Sequence, residues 1–385
     1  MNNAAYMEPW SRVQIFHTGD EYFKNLIEDI RQAKKSVTLE GYIFATDRLT
    51  SVLLNELAYA RSRGCSVKMT VDGFGSYYYI PELTKICHNC GIELRVFHPM
   101  PYWSSLTHRW PRMSEWKVAS FLSRMNRRNH RKIVLIDDTV AYIGSLNFIE
   151  IHCEKYVGAR AWRDTGVRLE GPAVKQLVIA TQITYLRTIY RGILTWVGRW
   201  RIPRSSFSTS VQLNTTQKMR RALYRDLLRL LNRAEDRIYI TTAYFLPKRS
   251  LLKALIKASE RGVDVKLILP GKSDVFFVKW AAFNLVRFLL HSGIPIYEYQ
   301  KTILHAKTMV VDDAAFIGSF NLNHRSLLHD LEVIARFDDQ DSLQNMISQW
   351  EVDLKNSRSI KELEFHSSWF SRWIYKIAFR LRYML

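Results

Sequence analysis

One short pattern occurs twice in this chain, and this duplication restricts the possible folds more than any other feature. The first copy occupies residues 130–147 and the second occupies residues 305–321. Both copies read H-x-K-x4-D followed by G-S-x-N, with six residues between the aspartate and the glycine in the first copy and five in the second. A single match could arise by chance, but two copies with the same downstream tetrapeptide indicate a duplicated functional unit.

The spacing within each motif places its histidine and its lysine on the same side of a strand. The apolar run after each lysine is typical of a buried strand, and side chains two positions apart on a strand share a face. An imidazole beside an ammonium suits a phosphate, because the lysine offsets its charge while the histidine attacks it or transfers a proton. The sequence therefore predicts two catalytic pairs, His130 with Lys132 and His305 with Lys307.

The tetrapeptide after each motif offers further donors to a phosphate. A Gly-Ser pair after the next strand predicts a tight turn with accessible backbone N–H groups, and the following asparagine adds a side-chain amide. The predicted phosphate-binding residues are Ser145 and Asn147 in the first half, and Ser319 and Asn321 in the second.

The motifs belong to a longer internal repeat in which helices and strands alternate. The predicted elements are helices 20–34 and 217–233, strands 37–44 and 238–245, and helices 53–63 and 251–261. This alternation predicts an α/β fold with a mostly parallel sheet in each half. Two similar halves related by a pseudo-two-fold axis would bring both histidine–lysine pairs to one site between them.

The repeat divides the chain into three predicted parts. An N-terminal half covers residues 1–200, a C-terminal half covers residues 207–350, and a tail covers residues 357–385. On a helical wheel the apolar residues of the tail cover one side, which favours an amphipathic helix on a membrane surface over a helix packed on the catalytic domain.

The first half also contains an aromatic and basic insertion near residues 100–128 that the second half lacks. Tryptophans among arginines and lysines suit the head-group layer of a membrane, although they could also stack on single-stranded nucleic acid or form a folded lid. The predicted membrane contacts in the insertion and the tail are Trp103, Trp110, Trp116, Trp369, Phe370 and Trp373.

Composition restricts the partner and the compartment. The formal charge of +20 requires an anionic partner, either nucleic acid or a lipid surface. Four cysteines do not form a disulfide framework in a chain of 385 residues, and the single C-x2-C at Cys87 and Cys90 is interpreted as a helix end instead of a metal site. No metal, cofactor, signal peptide or spanning helix is expected, since no apolar run reaches the roughly 18 residues that crossing a bilayer requires.

These motifs resemble those of the phospholipase D superfamily, and nearly the whole chain is similar to its short bacterial cardiolipin synthases, which lack N-terminal transmembrane helices. Further matching segments are residues 126–132, 162–164, 167–172, 243–247, 297–300 and 321–326 with Glu332. The resemblance implies a phospholipase D fold with two similar α/β/α sandwich halves and the active site between them.

The resemblance also implies a metal-independent transfer through a phosphohistidine. One histidine attacks the phosphodiester and the other protonates the leaving alkoxide, then deprotonates the incoming alcohol. His130 is predicted as the nucleophile and His305 as the acid/base, with the reverse assignment left open by the pseudo-symmetry. The lysines and asparagines would stabilise the charge on the phosphoryl oxygens in the transition state.

The acidic residues receive separate roles in this interpretation. By the same resemblance, Asp164 would orient His305 and Glu332 would orient His130, each from the opposite half. Asp137 and Asp312 complete the two catalytic motifs but are expected to be structural, bonding backbone groups at strand ends. Glu40 is a further candidate for lining the site.

The leading hypothesis is a phosphatidyltransferase that passes a phosphatidyl group to the hydroxyl of phosphatidylglycerol and so makes cardiolipin. The donor is either phosphatidylglycerol or phosphatidylethanolamine. The expected partner is an anionic phospholipid membrane, at the cytoplasmic face of the bacterial inner membrane, and no nucleic acid is expected. The alternatives are a hydrolytic phospholipase D and a nuclease of the same superfamily. A non-catalytic scaffold is disfavoured, because all four motif histidines and lysines are present.

Overall fold

The computed structural model describes residues 10–100, 127–189, 209–274 and 276–360. The elements of the first half are β1 (Arg12–Phe16), α1 (Gly19–Gln32), β2 (Ser36–Gly41), α2 (Arg48–Ser62), β3 (Ser66–Asp72), α3 (Ile80–Asn89), β4 (Glu93–Phe97), β5 (Ile133–Ile136), β6 (Val140–Gly144), α4 (Glu154–Val157), β7 (Gly166–Glu170) and α5 (Val174–Ile189).

The second half contains the same sequence of elements with a few short additions. They are β8 (Val211–Leu213), α6 (Gln217–Arg233), β9 (Arg237–Thr241), β10 (Phe245–Leu246), α7 (Arg249–Glu260), β11 (Asp264–Pro270), α8 (Phe276–His291), β12 (Ile296–Tyr299), β13 (Thr308–Val311), β14 (Ala314–Gly318), β15 (Leu322–Asn323), α9 (His324–Leu328), β16 (Val333–Phe337), α10 (Gln340–Lys355) and β17 (Ser357–Ser359).

Local sequence explains where several of these helices begin. Helices α1, α2 and α6 are preceded by Thr18, Asp47 and Thr216, whose side-chain oxygens accept a backbone N–H from the first turn. Helix α3 ends just before Gly91, whose φ of 66° lies in the left-handed region that glycine tolerates. The C-x2-C sequence therefore forms a helix end, as predicted.

The two main sheets have the same strand order. The first runs β1-β7-β6-β5-β2-β3-β4, and the second runs β8-β16-β14-β13-β9-β11-β12, with β17 added beyond β12. The prediction of two similar α/β halves is confirmed. The prediction of mostly parallel sheets is wrong, because in the first sheet only β2–β3 and β3–β4 pair in parallel. Each motif strand turns back at once into its neighbour, and such a short connection joins antiparallel strands.

The turn after each motif strand accounts for the difference in spacing between the two copies. Three residues separate the paired Ile136 and Val140 of the first hairpin, whereas two separate Val311 and Ala314 of the second. Asp137 and Asp312 both adopt positive φ, at 53° and 49°, within these turns. The motif strands therefore keep equivalent positions despite the missing residue.

The two halves share one apolar core. It joins residues from strands of both sheets, among them Ile133, Ile143, Val310, Ile317 and Val333, all of which are buried. Helices α1 to α3 and α6 to α8 pack their buried residues into two further clusters, one with each sheet. Burial of this apolar surface is what holds the halves together and fixes the motif strands side by side.

The predicted tail and the predicted insertion are only partly covered by the described residues. Strand β17 pairs with β12, so the start of the predicted membrane tail belongs instead to the second sheet. The remainder of the tail, residues 361–385, and the insertion at residues 101–126 lie outside the described residues, as do their six predicted membrane contacts. Among the helices that the structure describes, none has the length and apolar character needed to cross a bilayer.

Candidate active site

Each motif histidine is held at the interface by backbone hydrogen bonds to the opposite half. The N–H of His130 donates to the carbonyl of Leu331 at 3.0 Å, and the N–H of Leu331 donates to the carbonyl of Arg128 at 2.8 Å. In the same way the N–H of His305 donates to the carbonyl of Arg163 at 2.9 Å. The two motifs therefore meet at one place, where the halves exchange main-chain contacts.

The carboxylates that face these histidines also come from the opposite half. Nδ1 of His130 lies 3.1 and 3.2 Å from the two carboxylate oxygens of Glu332, and Nδ1 of His305 lies 3.1 and 3.2 Å from those of Asp164. The contacts cross between the halves in the way the sequence suggested, while the orienting role itself stays a prediction. With Nδ1 facing a carboxylate, Nε2 is the ring nitrogen left for a substrate.

The two lysines are buried beside the histidines. Nζ of Lys132 donates to the carbonyl of His130 at 2.8 Å, and Nζ of Lys307 donates to the carbonyl of His305 at 2.5 Å. Burial lowers the pKa of Lys132 to about 7, helped by the charge of Lys307, and burial lowers the pKa of Lys307 to about 8. A bound anion would raise both pKa values, because it favours the charged form of each lysine.

The pKa values of the two motif histidines are both lowered, but for partly different reasons. Burial, Lys132 and Lys307 together lower the pKa of His130 well below its usual value. Burial and Lys307 also lower the pKa of His305, but there the charge of Asp164 opposes them. A bound proton is therefore less unfavourable on His305 than on His130.

The charge states of the two carboxyl groups differ as well. Burial alone would raise the pKa of Asp164, but His305 and His152 hold it well below its usual value. Burial raises the pKa of Glu332 to about 7, against the effect of Lys132 and two serine hydroxyls. Asp164 is therefore ionised at neutral pH, whereas Glu332 titrates near that pH.

His152 is a third histidine of the site that sequence reasoning missed. Its Nδ1 lies 2.7 Å from Asp164, and its Nε2 accepts the backbone N–H of Asn147 at 3.1 Å. In the second half Ser326 takes this position: its hydroxyl donates to Glu332 at 2.6 Å and accepts the N–H of Asn321 at 3.3 Å. Both residues come five positions after the G-S-x-N asparagine, and that shared spacing is the signal that could have identified them.

Aromatic rings complete the surroundings of the histidines. The ring centroid of Tyr42 lies 5.0 Å from that of His130, and the ring centroid of Tyr244 lies 6.3 Å from that of His305. The ring of Trp162 lies 5.4 Å from His305. Burial raises the pKa of both tyrosines, so these hydroxyls stay protonated and can act as donors.

The serines of the two tetrapeptides are committed to internal hydrogen bonds. The Ser145 hydroxyl donates to the carbonyl of Thr165 at 3.0 Å, and the Ser319 hydroxyl donates to Glu332. Their backbone N–H groups also donate to carbonyls in the sheet. This geometry corrects the expectation of direct phosphate binding, because both serines instead hold the segments that carry the acidic residues.

The asparagines retain capacity for a ligand. Asn147 and Asn321 are buried, and in the part of the chain that the structure describes the side-chain oxygen of each has no hydrogen-bond partner. Buried polar atoms are nearly always paired. An amide oxygen only accepts, so these two atoms suit a donor such as a substrate hydroxyl, whereas a contact to a phosphoryl oxygen would come from the Nδ2 group of each asparagine.

The two motif aspartates serve the scaffold. The carboxylate of Asp137 accepts N–H groups from Lys34, Lys35 and Ser36 at 2.7 to 2.9 Å, and Asp312 accepts those of residues 235–237. These two aspartates are structural, as expected. Glu40 is buried with one carboxylate oxygen 3.9 Å from a guanidinium nitrogen of Arg131, and burial raises its pKa; its place in the site lining stays a prediction.

The resulting arrangement suits a phosphodiester. Two imidazoles with available Nε2 atoms, two ammonium groups and two amides converge, so a phosphoryl group can be attacked on one side and its leaving oxygen protonated from the other. Over the described ranges no group of three or more His, Cys, Asp or Glu side chains is arranged to hold a metal ion.

Known proteins were found that resemble this chain in sequence over most of its length. The family model described as cardiolipin synthase, phospholipase D-like domain, matches residues 26–161 and 227–354. Cardiolipin synthase 2 of Staphylococcus epidermidis is 31% identical over 369 residues, which cover 94% of this chain and 72% of the relative. The major cardiolipin synthase of Bacillus subtilis is 29% identical over 373 residues, which cover 95% and 73%.

Solved structures show the same fold at low sequence identity. The phosphatidylserine synthase of Haemophilus influenzae superposes with a TM-score of 0.72 at 13% identity, over 97% of this chain and 94% of that one. The polyphosphate kinase of Porphyromonas gingivalis gives a TM-score of 0.56 at 15% identity, over 89% and 50%. With both halves matched by the family model and a relative above 30% identity, the chain belongs to the cardiolipin synthase family of phospholipase D-like enzymes.

Proposed function

We propose that this protein is a phosphatidyltransferase that makes cardiolipin, by moving a phosphatidyl group from one phospholipid to a hydroxyl of phosphatidylglycerol. The observation that carries the proposal is the crossed pair of histidine–carboxylate contacts, with a buried lysine beside each histidine. The relatives that carry the name cardiolipin synthase support the choice of substrates.

The proposed reaction has two displacement steps. In the first, Nε2 of one histidine bonds to phosphorus while the bond from phosphorus to the leaving oxygen breaks, and the second histidine gives that oxygen its proton. In the second, the same acid/base histidine removes the proton of the phosphatidylglycerol hydroxyl, whose oxygen bonds to phosphorus as the P–N bond breaks. Both histidines are returned to their starting states.

We assign His130 as the nucleophile and His305 as the acid/base. A nucleophile must be unprotonated, and burial with two neighbouring lysines keeps the pKa of His130 well below its usual value. An acid must hold a proton at the start of the step. Burial and Lys307 lower the pKa of His305, but the ionised Asp164 opposes that shift, and this favours His305 over His130 for the acid role. The lysines and the asparagine amides would stabilise the charge on the phosphoryl oxygens.

Both lipid substrates reside in a bilayer, so the protein would work at a membrane surface. The excess of 56 Lys and Arg over 36 Asp and Glu favours an anionic surface, and we propose the cytoplasmic face of the bacterial inner membrane as its place. The phosphatidyl donor is either phosphatidylglycerol or phosphatidylethanolamine. A hydrolase would differ only in accepting water in the second step.

Lipid mass spectrometry on a cardiolipin-deficient bacterial strain tests the proposal. Expression of the intact protein should produce cardiolipin, and expression of His130→Ala at the same level should not. Supplying labelled phosphatidylethanolamine or phosphatidylglycerol to the purified protein then identifies the donor. Phosphatidic acid without cardiolipin would instead establish a hydrolase, and an unchanged lipid profile would refute both lipid reactions and favour the nuclease.

A further inference from the structure

A basic cavity of about 900 Å³ lies beside the first turns of helix α6. Five cationic side chains line it, namely Lys218, Arg220, Arg221, Arg225 and Lys248, and its described lining contains no aspartate or glutamate. A cavity of this size accommodates a ligand as large as a lipid head group. The proposed reaction steps use none of these residues.

Among the described residues, the charge of Asp330 offsets part of the positive charge at Arg220, and the lining itself carries no carboxylate. Within the described ranges none of the five cations forms a salt bridge, and Nζ of Lys248 lies 5.1 Å from the ring centroid of Tyr224. One turn further along the same helix, by contrast, Arg229 pairs with Asp226 at 2.8 Å. The unpaired positive charge is therefore concentrated at the cavity.

Arg220 is the buried member of the group, with a relative exposure of 4%. One of its Nη atoms donates to the carbonyl of Asn214 at 3.0 Å, but its Nε has no hydrogen-bond partner among the described residues. Burial, together with the charges of Arg127 and Arg187, lowers its pKa to about 10, against the opposing charge of Asp330. A buried, unpaired donor among other cations is costly unless an anion binds there.

The cavity is connected to the active site by a short chain of hydrogen bonds. Asn214, which accepts from Arg220, also accepts the backbone N–H of Glu332 through its side-chain oxygen at 2.6 Å. Glu332 in turn faces His130. Two residues therefore separate the buried arginine from the proposed nucleophile, and the cavity lies on the His130 side of the site.

We propose that this cavity binds the head-group phosphate of an anionic phospholipid, at a site distinct from the histidine pair. The inference rests on the proposed function, because transfer to phosphatidylglycerol always brings a second phosphate that does not react. Guanidinium and ammonium groups bind phosphate by charge-assisted hydrogen bonds. A lipid phosphate would thus neutralise the exposed cations of the cluster and reduce the cost of the buried Arg220 charge.

Calorimetric titration with a short-chain phosphatidylglycerol, kept below its micelle concentration, tests this site. The full-length His130→Ala protein is used as background so that no turnover occurs during the titration. In that background the double change Arg221→Glu with Arg225→Glu should weaken binding by roughly tenfold or more, since two charge-assisted contacts are reversed.

A matched control comes from the neighbouring helix α7. Lys253→Glu with Lys257→Glu changes the net charge by the same amount at two exposed positions outside the cavity lining. This pair should change the affinity by less than about twofold. Equal weakening by both pairs, or no weakening by the cavity pair, would overturn the inference. Circular dichroism of all variants checks that the fold is intact.

Inorganic phosphate, titrated in the same way, distinguishes a lipid from a free anion. The short-chain lipid should bind more tightly, and phosphate that binds as tightly as the lipid would overturn the lipid assignment. The two proposals also fail separately. A wild-type protein that makes cardiolipin while the cavity pair leaves lipid affinity unchanged refutes only this site. Cavity-dependent lipid binding without cardiolipin formation refutes only the proposed reaction.

Discussion

The carboxyl groups that face the two motif histidines occupy equivalent positions in their halves but have opposite charge behaviour. Asp164 contacts both His305 and His152, and these two histidines hold its pKa well below the usual range despite burial. Glu332 faces a single histidine, His130, and burial raises its pKa to about 7. The duplicated fold therefore supplies the same geometry twice while the neighbours of each carboxyl group decide its protonation.

A single position produces much of this difference. His152 in the first half and Ser326 in the second each bridge the backbone N–H of the G-S-x-N asparagine and the nearby carboxylate. A histidine at this place adds a group that favours an anion, whereas a serine adds only a hydroxyl hydrogen bond. This difference supports the proposed division of the two copies into nucleophile and acid/base.

The largest effect is expected from removing the histidines themselves. His130→Ala and His305→Ala should each lower turnover of the natural substrates by roughly 10⁴-fold or more, without unfolding the protein. With a nitrophenyl phosphodiester, whose leaving group needs no acid, His305→Ala should still release about one equivalent of nitrophenolate per chain as the phosphohistidine accumulates. His130→Ala should release none. The opposite pattern would exchange the two roles.

Substitution of the two carboxyl groups should lower kcat by different amounts. Asp164→Asn should lower kcat by roughly 10³-fold to 10⁴-fold, because it removes the ionised partner of the acid/base histidine. Glu332→Gln should cost less, roughly 10²-fold, because Glu332 is only partly ionised at neutral pH and an amide can still contact Nδ1 of His130. Measurement of kcat on both purified variants checks this order, and equal losses would remove the functional distinction between the halves.

A smaller effect is expected from His152→Ser, which gives the first half the residue type that the second half has at Ser326. We expect kcat to fall by roughly tenfold, as for other residues that support a catalytic group indirectly. The pKa of Asp164 should rise when one of its two histidine partners is lost, so the acid limb of the pH profile should move to higher pH. A loss of activity with an unmoved acid limb would indicate a purely structural role.

A different kind of effect concerns stability as a function of pH. The folded-state pKa of Glu332 is raised from 4.5 to about 7, so its contribution to stability is complete below pH 4.5 and is lost as the pH rises toward 7. Urea unfolding should show that the free energy of unfolding of the wild-type protein falls by up to about 3 kcal/mol relative to that of Glu332→Gln across this window.

Asp164 provides the opposite sign for the same measurement. Because its folded-state pKa is lowered below 3.8, its stabilising contribution is present above that pH and disappears as the pH falls further. The wild-type protein should therefore have a higher free energy of unfolding than Asp164→Asn at neutral pH, and this difference should shrink as the pH falls into the acid range. Identical pH slopes for the two variants would contradict the contrast between the carboxyl groups.

Several elements could be predicted closely from the sequence. Helix α6 spans the predicted residues 217–233, and the matched order of elements in both halves follows from the internal repeat. The sheet direction was predicted wrongly, because hydrophobic periodicity indicates a strand but does not show which strand lies beside it. The antiparallel pairing of each motif strand with the next strand depends on the hairpin turns at Asp137 and Asp312. Only the backbone conformation of the folded chain reveals these turns.

Residue types and their repeated spacing by themselves determined the class of chemistry: two histidine–lysine pairs, each on one strand face, in two copies of one α/β unit. Only the tertiary structure supplied the contacts and burial on which the proposed division of that chemistry between the copies rests. Glu332 and His130 are 202 residues apart in sequence, and Asp164 and His305 are 141 apart. Contact, burial and therefore pKa arise from packing across the interface, and no local pattern of residues contains that information.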